Sequence, residues 1–151
     1  MIRRSNGRMA LCVAALVLNV IFIWGNSALP ASVSGALSRW LRQLLGFISQ
    51  GSAGVGEGSL RKLMHFAEFC LLGVMLSWLC GMLMARPLPV AGASIVSGIF
   101  TACVDETIQS FSPGRNPSLM DVGIDTAGAA VGIGLLFLGY IISNKFWRKT
   151  K

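Results

Sequence analysis

The chain has 151 residues, 54% of them apolar and only 13% charged, with a formal net charge of +7. That length suits one domain, and a charged fraction so far below the ~25% of soluble proteins excludes an ordinary water-soluble fold. The positive balance does not point to nucleic acid: Arg3, Arg4 and Arg8 precede the first apolar run and Lys145, Arg148, Lys149 and Lys151 follow the last, where anionic lipid headgroups attract them.

A bilayer core of ~30 Å is crossed by about 20 helical residues, because a helix satisfies its own backbone where lipid offers no partner. The first span is predicted from about Met9 to Leu29 and ends in Trp24, Asn26 and Ser27. Its basic start and the small residues Ser27, Ala28 and Ala31 also describe a cleaved signal peptide, although Pro30 spoils the most obvious cleavage position. From Ala31 to Gln50, Val33, Leu37, Trp40, Leu41, Leu44, Leu45 and Ile48 recur at helical spacing, with Arg39, Arg42 and Gln43 on other faces. This is an amphipathic helix, either lying in the membrane interface or packed across the ends of the bundle. Gly51 to Gly58 reads as a Gly/Ser-rich loop.

The second span is predicted from about Leu63 to Met84, closed by Arg86 and Pro87, and the third from about Leu88 to Ile108, rich in small residues that suit close helix contact. The fourth runs from about Val122 to Phe146, and its Gly128 and Gly132, in GxxxG spacing, are read as packing. Cys12, Cys70, Cys80 and Cys103 fall inside apolar runs without CxxC spacing, so they are read as packing residues, not a disulfide framework or a zinc site. The expected fold is an all-α membrane protein: a single domain over residues 1–151, a four-transmembrane-helix bundle with an interfacial amphipathic helix between the first and second spans.

If the four spans alternate in direction, connectivity gathers the polar groups on one membrane face. These are Trp24, Asn26 and Ser27; Arg61, Lys62, His65 and Glu68; Asp105, Glu106, Gln109 and Arg115; Asp121 and Asp125, with Glu57 in the loop. Every acidic residue lies on that face. Of the basic residues, Arg3, Arg4, Arg8, Arg86, Lys145, Arg148, Lys149 and Lys151 lie on the other face, against Arg39, Arg42, Arg61, Lys62 and Arg115 here. The positive-inside bias then places both termini in the cytoplasm and the polar face outside.

A charged side chain inside a span costs on the order of 2.5 to 3.5 kcal/mol on insertion scales, so these residues need partners. Helical spacing offers Arg61 with His65, His65 with Glu68, Asp105 with Gln109, and Asp121 with Asp125. Asp105 and Glu106 stand about 100° apart on their helix, so one is expected to face a partner helix and the other the headgroups. The cluster is read as a polar pocket; the competing reading is a salt-bridge network that fixes helix register.

The ordered pattern Trp24, Asn26 and Ser27, then Arg61-Lys62-x-x-His65-Phe66-x-Glu68, then Asp105-Glu106-x-x-Gln109-x-Phe111-x-Pro113-Gly114-Arg115, then Asp121 and Asp125 with Gly128, resembles the VanZ-like family of bacterial membrane proteins. The resemblance covers all four spans. Phe69 stands where the family usually has Tyr, and Asp125 where it usually has Asn, so a role needing a neutral amide at that position does not carry over. The resemblance implies a multi-pass protein of the bacterial cytoplasmic (inner) membrane and a cell-envelope role, with a link to resistance against the glycopeptide teicoplanin through the founding member.

Two functions follow as expectations. In the first, the pocket binds an anionic group of a membrane lipid or lipid-linked cell-wall precursor, or a glycopeptide, with Asn26, Arg61, Lys62, Gln109, Arg115, Asp121 and Asp125 as ligand-binding residues and Arg115 as the bidentate fork. In the second, the chain is an intramembrane hydrolase or transferase with His65, Glu68, Asp105 and Glu106 catalytic. No cofactor is assigned. A metal held by His65, Glu68 and Asp105 is weakly supported, with one His and no close second ligand, so no metal residues are assigned. Transport ranks last, because no ionisable residue stands mid-membrane to relay charge.

Overall fold

The computed structural model describes residues 6–34, 36, 43 and 57–149. Four helices carry the fold: α1 Asn6–Ala28, α2 Glu57–Leu83, α3 Pro87–Ser110 and α4 Leu119–Lys149. The shortest has 23 residues, about 35 Å at 1.5 Å per residue, and all four are long and apolar enough to cross a membrane. No strand occurs among the described residues. The amphipathic segment expected over 31–50 lies largely outside the described residues; residues 31–34 are helical, with the Val33 and Ser34 N–H groups donating to the Pro30 carbonyl at 3.0 and 3.1 Å.

Two helices start earlier than hydropathy alone places them, α2 at Glu57 and α4 at Leu119, because their first turns are polar and extend past the apolar run. At α4 the local chemistry is explicit. The Ser118 hydroxyl accepts from the Met120 N–H at 3.1 Å, its carbonyl takes the Asp121 N–H at 2.9 Å, and acidic Asp121 sits in the first turn. Extended Arg86 and Pro87 in the first turn start α3 just after α2 ends.

Apolar and polar residues are distributed inside out. Leu11, Leu18 and Phe22 of α1, Phe100 of α3 and Leu135 of α4 are exposed, whereas Asp105, Asp125, Ser27, Ser77 and Ser94 are fully buried. This is the order a hydrocarbon solvent favours, where exposed side chains are greasy and polar ones turn inward. Buried hydroxyls away from the cluster bond their own helix: Ser77 to the Gly73 carbonyl and Ser94 to that of Val90, both at 2.7 Å.

Helices α2 and α3 pack on each other at the centre, and α1 and α4 each pack against both. Backbones of α2 and α4 meet most closely. A Cβ at Gly128 would run into the Phe66 carbonyl, one at Gly132 into the Cys70 carbonyl, and one at Gly73 into the Ala129 carbonyl. The GxxxG pair therefore packs, as its spacing predicts, against an α2 surface opened by Gly73. Beneath the polar end, Ile23, Phe69, Leu72, Leu76 and Ala102 form an apolar core shared by α1, α2 and α3.

A polar site at one end of the bundle

The end of α1, the start of α2, the end of α3 and the start of α4 share one end of the bundle, and the residues singled out in the sequence converge there. His65 of α2 is buried at 6% exposure, and its Nδ1 stands 3.6 Å from Glu68 Oε2 and 3.9 Å from Asp105 Oδ2. Neither ring nitrogen makes a hydrogen bond. Asp105 accepts from Gln109 Nε2 at 2.7 Å through Oδ2, while its Oδ1 is buried without a hydrogen bond. Asn26 of α1 donates from Nδ2 to Glu68 Oε1 at 3.4 Å. Lys62 pairs with Asp121, bridging the second turn of α2 and the first turn of α4.

Glu106 departs from the expectation that one of the adjacent acids faces the headgroups. Both acids are buried, Asp105 completely and Glu106 at 6% exposure, and Glu106 Oε2 accepts from the Ser118 backbone N–H at 2.8 Å. The physical reason is the α3–α4 connection, which folds back over the helix end and supplies Glu106 with a donor that headgroups would otherwise have to provide.

That connection is a tight turn. The Arg115 N–H donates to the Ser112 carbonyl at 3.2 Å, Pro113 holds the second position and Gly114 the third, with φ of +75°, the signature of a type II turn. The turn docks on the end of α1: the Pro113 carbonyl accepts from the Ala31 N–H at 3.1 Å, and Ser112 Oγ donates to the Ser27 carbonyl at 2.8 Å. Arg115 is 6% exposed, and its Nη2 and Nε donate to the Asn26 and Leu29 carbonyls at 2.9 and 3.2 Å. The guanidinium thus caps the C-terminal end of α1, where free carbonyls and the helix dipole favour a cation. Its remaining nitrogen, Nη1, is buried without a partner.

A cavity of about 10 Å³ opens at this end, lined by Arg61, Lys62, His65, Glu106, Gln109, Asp121, Ile124 and Asp125. Space of that size admits about one water or one ion. Asp125, 2% exposed, lines the cavity from α4 opposite His65 of α2. Arg61 makes no ion pair with any described residue, although it lies at the mouth among acids. The sequence reading gathered Ser27 at this end but not its partners, and it missed the parts played by Ser112 and Ser118. Their only signal was a hydroxyl near a helix end, and their partners are set by tertiary contact.

Fold and site together define a multi-pass α-helical membrane protein that buries an ionisable cluster at one end of its bundle. Residues 11–142 match the family model described as VanZ/LLP1, and the chain belongs to that family. No curated protein and no solved structure matches it.

Proposed function

We propose that the chain is an envelope membrane protein whose polar end binds an anionic group of a lipid or lipid-linked precursor. The observation that carries this reading is Arg61, a cation lining the cavity that pairs with no acid among the described residues, next to Lys62, which pairs with Asp121. Two cations on the first turns of a membrane helix attract phosphate, and a guanidinium binds it bidentately. Only an oxygen or two of the ligand fits the cavity itself, so the rest of the headgroup lies outside it. Arg115 serves this site by fixing the turn against α1, not as the fork expected from the motif. The excess of basic residues on the opposite face supports a bacterial inner-membrane orientation with both termini in the cytoplasm and the polar end outside.

Binding of phosphatidylglycerol and of phosphatidylethanolamine by the full chain in nanodiscs tests this. Wild type prefers the anionic lipid, and Arg61→Gln lowers that preference by roughly fivefold, in line with a lost charged hydrogen bond of ~1 kcal/mol or more. Equal binding by Arg61→Gln and wild type sinks the proposal. Teicoplanin, suggested by the family, belongs in the same assay as a competitor.

A second reading, acid–base catalysis on the bound group, is favoured by His65, whose Nδ1 faces Glu68 while Nε2 is unpartnered. It requires turnover of the bound lipid that Glu68→Gln abolishes while binding persists. Turnover unchanged in Glu68→Gln argues against it.

A further inference from the structure

His65, Asp105 and Asp125 each offer a ligand atom, and these atoms lie within 4.8 Å of one another, one residue from each of α2, α3 and α4. All three side chains are at least nine-tenths buried. Three further observations point to a ligand. Both nitrogens of His65 lack hydrogen bonds, and so does Asp105 Oδ1, although a buried polar atom is normally satisfied. His65 and Asp125 line a cavity of one-ion size. Glu106, buried, and Glu68, its side chain 10% exposed, bring two more carboxyl groups, against one buried cation among the described residues, Arg115, whose bonds go to the carbonyls of α1. Carboxyl groups are thus concentrated where water is scarce.

We propose that this triad is a divalent cation site. One imidazole and two carboxylates suit a borderline metal such as Mn²⁺, Fe²⁺ or Zn²⁺ better than Ca²⁺, which takes six or more oxygens, or Cu⁺, which takes soft sulfur ligands. Three atoms on one ion at ~2.0–2.2 Å stand about 3.3–3.6 Å apart in tetrahedral geometry, so closing on a cation takes a contraction of up to about 1.5 Å, which rotation of the three side chains supplies. Glu68 completes the arrangement: a metal-bound His usually gives its other nitrogen to a carboxylate, and Glu68 Oε2 stands 3.6 Å from His65 Nδ1. Asp125 supplies the second carboxylate of the triad, which an amide at that position would not. The site stands without the lipid-binding proposal, since Arg61 and Lys62 are not among its ligands.

The test is Mn²⁺ binding to the full-length protein in detergent, followed by electron paramagnetic resonance and by thermal unfolding with and without EDTA. The expected result is saturable binding of one Mn²⁺ per chain, competed by Zn²⁺, with a higher unfolding temperature in the metal-bound form. His65→Gln and Asp125→Asn each weaken it by at least about tenfold. Asp125→Asn keeps shape and volume, so it reports on binding even if His65→Gln misfolds. Absence of saturable Mn²⁺ and Zn²⁺ binding by wild type overturns the proposal, as does affinity unchanged in a folded Asp125→Asn protein. Should lipid binding fail in Arg61→Gln while Mn²⁺ binding persists, the two proposals are separated.

Discussion

Burial pushes the Arg115 guanidinium below the ordinary arginine value, the like charge of Arg61 adds to this, and the carboxylates of Asp105, Glu106 and Glu68 oppose it. An arginine so lowered still stays charged at any physiological pH, and its charge is matched to the carbonyl end of α1. Lysine cannot reproduce this, because one ammonium on a flexible stem does not reach two carbonyls set apart as Asn26 and Leu29 are. Arg115→Lys is therefore expected to cost roughly 1–3 kcal/mol, one charged hydrogen bond, and to lower the unfolding temperature in detergent. An unchanged melting curve would show that the cap carries no stability. The motif made Arg115 legible as a member of the polar cluster. Its partners were not legible, since they lie 86 and 89 positions earlier and are reached only once the Ser112–Arg115 turn folds onto α1. Glu106 was misplaced for the same reason.

Among the elements, the seam between α2 and α4 sets the geometry of the site, because it holds His65 and Asp125 on facing helices. Gly132→Ala would drive a methyl into the Cys70 carbonyl, which is backbone and cannot swing aside. The helices must then part, at a cost of about 1–3 kcal/mol for an overpacked contact, and the ionisable cluster one and two turns away loosens with them. Gly134→Ala, two residues on, meets nothing within 4 Å and is expected to leave the unfolding temperature unchanged or slightly raised. Thermal unfolding of the two variants side by side checks this, and similar curves would refute the close seam. Spacing alone disclosed that Gly128 and Gly132 share a face. It did not disclose that this face meets α2, nor that Gly73 opens the opposing surface, because the helix across a seam depends on how α2 and α3 order themselves between α1 and α4.

Across the whole molecule, the four spans were legible because hydrocarbon demands long apolar helices, and the gathering of acids at one end followed from alternation alone. Depth and orientation require a different argument, since the fold is the same whichever way it is inserted. We propose the orientation that the basic residues favour: those at the termini and Arg86 outnumber those at the polar end, which by the positive-inside bias puts the termini in the cytoplasm and opens the cavity outward. Phe111 and Leu119 flank the α3–α4 turn at the polar end and are exposed at 84% and 91%, which makes them reporters of its side. In a background lacking the four native cysteines, Phe111→Cys and Leu119→Cys are expected to react with a membrane-impermeant maleimide in intact cells, without permeabilisation. Labelling only after permeabilisation would reverse the orientation. The distinction decides which leaflet supplies the ligand: an outward cavity meets lipids and precursors already translocated, whereas an inward one meets them at synthesis, with Arg61 and Lys62 competing against cytoplasmic phosphates for the same anionic group.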